Sequence, residues 1–120
     1  MTPRALLEKH NLPHVLLGVA CLVVLAVVAQ YNYLLFHTLA EFFGIVVAVG
    51  VFLVAWNTRR YMHSSYLLFL GIALAFVAVV DLLHTLAYKG VGVFDAGADL
   101  PTQLWIAGRI LEATAFVGAP

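Results

Sequence analysis

Residues 66–88 read YLLFLGIALAFVAVVDLLHTLAY, and the fold turns on this stretch. Asp81 is its one charged residue, and the rest is overwhelmingly apolar. A helix needs about 20 mainly apolar residues to cross a bilayer, and this segment supplies them. Three further stretches read the same way. One runs from Pro13 to Gln30. A second runs from Leu34 to Trp56 and is closed by Asn57-Thr58-Arg59-Arg60. The last starts near Pro101 or Thr102 and keeps its helical pattern to Phe116. Runs of β-branched residues such as Ile45-Val46-Val47 continue into long apolar stretches without the period-2 alternation of a strand. Lipid admits only helices or closed barrels. The expectation is an all-α, polytopic membrane bundle with four transmembrane helices, at about 13–30, 34–56, 66–88 and 102–118. Pro13 is expected in the first turn of its helix, where a missing N–H costs nothing.

Composition points the same way. Of 120 residues, 64% are hydrophobic and 10% charged, against about 25% charged in a soluble domain. Mean hydropathy is +1.03. Six Lys/Arg balance six Asp/Glu. Disorder is excluded by the hydrophobicity. Nucleic-acid binding is excluded by the lack of a basic surplus. A water-soluble globule is excluded by the shortage of polar residues to cover it. Cys21 is the single cysteine, so no disulfide forms within the chain and no CxxC zinc motif exists. No nucleophile–base arrangement or phosphate loop is present, so the chain is not expected to be an enzyme.

Cations in short loops set orientation. Arg4 and Lys9 precede the first span, and Arg59 and Arg60 follow the second. The opposite side carries Tyr31-Asn32-Tyr33 and the Lys89–Pro101 loop, whose three Gly and two Asp, Asp95 and Asp99, read as exposed turn. The N-terminus is therefore placed in the cytoplasm, with residues 1–12 a cytoplasmic segment and 13–120 the membrane domain. The fourth helix has barely finished at Gly118-Ala119-Pro120, so the domain is expected to be the N-terminal portion of a longer one. Trp56, Tyr61 and Trp105 read as interface anchors, and Gly44, Gly50 and Gly71 as helix-packing positions.

The ionisable residues inside the spans carry the functional information. A charged side chain at the bilayer centre costs at least roughly 2.5–3.5 kcal/mol, and such residues usually face a protein interior. With about 1.5 Å of rise per residue, His37 lies roughly 5 Å and Glu41 roughly 10 Å below the outer boundary. His84 lies roughly 6 Å and Asp81 roughly 10 Å below it. Arg109 lies roughly 10 Å and Glu112 roughly 15 Å below it. Three helices thus place polar residues in one outer-leaflet layer. Each pair is spaced i, i+3 or i, i+4 and shares a helix face. His37, Glu41, Asp81 and His84 are the candidate ligands. Arg109 and Glu112 are candidates to orient or neutralise, and Gln103 and Trp105 to close the site. Imidazole and carboxylate suit a transition metal. Two histidines at similar depth suit haem b. A quinone held by hydrogen bonds, or a purely structural salt-bridge cluster, would use the same residues.

Several blocks also carry a resemblance. Phe36-His37-Thr38-Leu39-Ala40-Glu41-Phe42-Phe43 is followed by Ala55-Trp56-Asn57-Thr58-Arg59-Arg60 and Tyr66-Leu67-Leu68-Phe69-Leu70-Gly71. Asp81 through Gly90 and Thr102 through Glu112 complete the series. Over about residues 31–120 the chain resembles the third type of bacterial membrane-associated sensor domain, of the MASE group. The resemblance implies a multi-pass sensory input module in the bacterial inner membrane. Such modules are fused to a C-terminal output, a histidine kinase or diguanylate cyclase, that lies outside this chain. Signalling fusions of this kind imply a homodimer of the intact protein. The resemblance supplies no ligand. A cytochrome b-like redox protein and a structural membrane anchor remain the alternatives.

Overall fold

The computed structural model describes residues 3–63, 65–94, 97 and 99–120, with side chains from Asn11 onward. Asp95 and the side chains of Arg4, Lys9 and His10 lie outside the described residues. The described residues form four helices: α1 (Pro3–Tyr31), α2 (Tyr33–Thr58), α3 (Tyr66–Ala87) and α4 (Asp99–Gly118). The chain divides into two units, residues 1–37 and 38–120.

In the first unit, α1 starts at Pro3 and not near Pro13. Arg4, Ala5, Leu6, Leu7, Glu8 and Lys9 are all strong helix formers, and they carry the helix upstream of the expected boundary. Pro13 is therefore internal, and not in the first turn. It removes one ladder hydrogen bond, a loss that membrane helices tolerate. The side chains from Asn11 to Val27 are all exposed within the described structure, as suits an apolar helix whose solvent is lipid.

Asn32 alone separates α1 from α2. Its N–H donates to the Val28 carbonyl at 2.8 Å, and its own carbonyl accepts from the Phe36 N–H at 3.1 Å. Its side-chain Oδ1 accepts from the Leu35 N–H at 3.0 Å. One residue thus ends one helix and caps the next, which is why Asn serves here.

In the second unit, α2 runs two residues past Trp56. The Asn57 amide donates to the Leu53 carbonyl at 2.7 Å and the Thr58 hydroxyl to the Val54 carbonyl at 2.7 Å. Residues that read as a stop signal thereby bond back onto the helix and extend it. Arg59 donates to the Trp56 carbonyl and lies 4.3 Å from the centre of its ring. That guanidinium–indole stack suits a helix end at a membrane surface. Beyond α3, Gly90 (φ 110°) and Gly92 (φ 62°) take left-handed conformations that side-chain-bearing residues avoid. α4 opens three residues before Thr102, with Asp99 and Pro101 in its first turn. An acidic residue favours the positive helix start, and proline has no N–H to leave unpaired there.

α3 is the middle helix. It packs on α4 and meets α2 at Gly71, where a Cβ would lie 2.7 Å from Ala55 Cβ and 3.3 Å from Phe52 Cα. Gly44 and Gly50, in contrast, would admit a Cβ with nothing within 4 Å among the described residues, so the close packing expected of them is not seen there. Apart from Ala87, the buried small residues recur every seven positions: Ala48 and Ala55 on α2, Gly71, Ala78 and Thr85 on α3, Gly108 and Ala115 on α4. A seven-residue period keeps one stripe facing its neighbour, and small side chains let backbones approach where water supplies no driving force.

Among the described residues, three stretches are long and apolar enough to cross a membrane: Asn11–Tyr31, Tyr33–Thr58 and Tyr66–Ala87. α4 is not among them. Asp99, Arg109 and Glu112 dilute its apolar character.

Candidate functional site

The polar residues of α3 lie on its most buried face. Asp81 is 8% exposed, His84 4% and Thr85 0%. The spacing from Asp81 to His84 is i, i+3, so both project from one side of the helix. The Thr85 hydroxyl donates to the Asp81 carbonyl at 2.8 Å and so needs no partner outside its own helix.

Arg109 of α4 ties two carboxylates together. One terminal nitrogen donates to Asp81 Oδ2 at 2.6 Å, across to α3. The other donates to Glu112 Oε2 at 2.7 Å, one turn along its own helix. Gly108 makes this approach possible, because a Cβ there would stand 3.0 Å from Asp81 Oδ1. Asp81 Oδ1 and Arg109 Nε are both buried and have no hydrogen-bond partner among the described residues. The pair is thus joined through one oxygen and one nitrogen, with acceptor and donor capacity in reserve.

His84 links the other two helices. Its Nδ1 lies 2.7 Å from the Pro101 carbonyl oxygen in the first turn of α4. A carbonyl can only accept, so Nδ1 carries the proton and donates. In the neutral ring, Nε2 is then the lone-pair nitrogen. Nε2 faces Glu41 Oε1 of α2 at 4.0 Å. That is too long for a direct hydrogen bond. Tyr88 packs its ring edge-on against the His84 imidazole, with centroids 5.9 Å apart.

Glu41, Asp81, His84, Arg109 and Glu112, expected from three different helices, therefore do converge. His37 is half-buried on α2, one turn before Glu41 in sequence, and its ring stacks on Tyr33 at 6.1 Å between centroids. Gln103 and Trp105 are both exposed on α4. Two members of the arrangement were not legible in the sequence. The Pro101 carbonyl is a backbone group, and residue types leave no mark of its role. Gly108 stands beside Arg109 in the sequence, and a small residue adjoining a charge in an apolar helix was the available signal.

Taken together, the fold and these residues define a helical membrane protein with ionisable side chains gathered between its helices. Residues 28–120 match MASE3, a membrane-associated sensor domain. The chain belongs to this family. Its function is sensing and not catalysis. No curated protein and no solved structure matches the chain.

Proposed function

We propose that the chain is the ligand-sensing part of a bacterial inner-membrane receptor, and that the polar residues between α2, α3 and α4 are where its stimulus acts. The observation that carries this reading is the Arg109–Asp81 bond across α3 and α4, beside the His84–Glu41 approach across α3 and α2. Ionisable groups this deep in apolar helices are expensive, and they usually mark function. They also sit at helix–helix contacts, where a ligand with different affinity for two packings can shift the balance between them.

In this reading α4 crosses the membrane as the fourth span, its Arg109 and Glu112 neutralised against each other and Asp81. The N-terminus, as residues 1–12, is cytoplasmic, and residues 13–120 are the N-terminal portion of the sensor domain. His37, Glu41, Asp81 and His84 meet the ligand, with a transition metal or haem among the ligand types their donor atoms admit. The i, i+4 spacing of His37 and Glu41 is one with which helices present two donors to one ion. Arg109 and Glu112 orient the carboxylates, and Gln103 and Trp105 guard the outer end of α4. A sensor domain acts through an output, here a histidine kinase or diguanylate cyclase, in a homodimer of the intact protein.

The test uses the full-length receptor in its native membrane. Output activity is measured for wild type, Glu41→Gln, His84→Ala and Arg109→Gln across a panel of growth conditions, with membrane abundance monitored. Altered output at normal abundance supports the reading. Unchanged output in all three variants overturns it and leaves a structural anchor.

A further inference from the structure

A sensory role for these polar residues leaves the chemical class of the ligand open. Resting on that role, we infer that His84 and Glu41 are the core of a divalent transition-metal site, His84 binding through Nε2 and Glu41 through its carboxylate.

Three independent features carry the inference. The first is the tautomer of His84. Its Nδ1–H donates to the Pro101 carbonyl at 2.7 Å, which turns the lone pair of the neutral ring onto Nε2. Metal-binding histidines characteristically donate their other N–H to a carbonyl or carboxylate, which holds the ring in orientation and raises its basicity. The ring is also 4% exposed and wedged against Tyr88, so its direction is set before any ligand arrives.

The second feature is the spacing. His84 Nε2 and Glu41 Oε1 are 4.0 Å apart. A protonated histidine and a carboxylate in direct contact would close to about 2.7–2.9 Å. A metal ion with bonds of about 2.0–2.2 Å to nitrogen and oxygen holds tetrahedral ligand atoms about 3.4 Å apart, so a closure of roughly half an ångström would bring both groups onto one ion.

The third feature is charge. Glu41, Asp81 and Glu112 stand against one guanidinium, Arg109. Three carboxylates thus share one guanidinium, and a divalent cation would reduce that imbalance. Uncompensated buried charge is strongly unfavourable. Asp81 Oδ1, buried with no hydrogen-bond partner among the described residues, is a further sign that acceptors outnumber donors here. Imidazole with carboxylate suits zinc, manganese or iron(II) better than the all-oxygen preference of magnesium or calcium. Because the His84 N–H is anchored to the first turn of α4, a metal at Nε2 would also register in the position of that helix.

The experiment uses the full-length protein in lipid nanodiscs, stripped with chelator. Zn²⁺, Mn²⁺ and Fe²⁺ are each dialysed in singly, and bound metal is measured by mass spectrometry. The expected result is about one ion per chain. His84→Ala and Glu41→Gln should each lower the affinity at least tenfold, while His63→Ala, in the exposed loop after α2, leaves it unchanged. Glu41→Gln keeps the side-chain shape, so it remains informative if His84→Ala fails to fold. X-ray absorption on the loaded protein should show imidazole scattering and nitrogen or oxygen at about 2.0–2.2 Å. No stoichiometric metal in wild type, or binding indifferent to both substitutions, overturns the inference. Output activity separates this from the sensor reading. Metal bound and lost in the variants, with output indifferent to metal, keeps the site and removes its sensory role. No metal bound, with output altered in the variants, removes the site and keeps the sensor.

Discussion

Gly71 is the sharpest steric test of the packing. A methyl group there would stand 2.7 Å from Ala55 Cβ, whereas carbon atoms prefer about 3.5–4.0 Å. Ala55 is fully buried and has no rotamer to move. Phe52 Cα, at 3.3 Å, is backbone and cannot yield either. In Gly71→Ala, α2 and α3 must therefore part by about 1 Å. Overpacking of this kind costs about 1–3 kcal/mol, or roughly a 5- to 150-fold loss in the folding equilibrium. Alanine's better helix propensity returns up to about 1 kcal/mol. Ala55→Gly in the same chain removes the opposing methyl and moves the side chain from one helix to the other. The double variant should recover most of the loss, giving a coupling of about 1–3 kcal/mol. The assay is unfolding in mixed micelles titrated with SDS and followed by circular dichroism. A Gly71→Ala chain as stable as wild type, or a cycle additive to within about 0.5 kcal/mol, would refute the close approach of these helices.

Asp81→Asn keeps the side-chain shape but leaves Arg109 with Glu112 as its one carboxylate partner. Breaking a buried pair costs about 3–5 kcal/mol. The Arg109 side chain is 39% exposed, so about 1–3 kcal/mol is expected after discounting. Adding Arg109→Gln should cost less than the two single losses combined, and strict additivity in the micelle assay would count against the bond. Asn32→Ala removes the acceptor for the Leu35 N–H and should cost about 0.5–2 kcal/mol at the start of α2. Hydrogen exchange reads this directly, since the Leu35 amide should lose protection while Phe36 changes less. Orientation is checked in a Cys21→Ser background, which removes the single native cysteine. A membrane-impermeant maleimide should label Val93→Cys in intact spheroplasts and Tyr61→Cys only after lysis. The opposite pattern would invert the topology.

Helix content was readable because bilayer crossing is a matter of length and apolarity, and both are properties of sequence. Boundaries were less readable. Upstream of Pro13, local helix propensity outweighed the proline. At Asn57 and Thr58, side chains that compete for backbone carbonyls found them within their own helix. Gly44, Gly50 and Gly71 look alike in the sequence, yet of these three Gly71 alone meets a neighbouring backbone, because packing depends on which way a helix is rotated.

What the sequence by itself determined is the class of solvent and the helix that carries each charge. Hydrophobicity selects lipid, and a fixed helical rise led to the expectation that Glu41, Asp81, His84, Arg109 and Glu112 share one level. What only the tertiary structure decided is who partners whom. Arg109 could have taken Asp81 or Glu112, and it takes both. The tautomer of His84 follows from a proline carbonyl seventeen residues away. Backbone groups carry no residue identity, and helix rotation is set by the sum of many small contacts. Position along a helix is therefore legible in one dimension, while partnership waits for three.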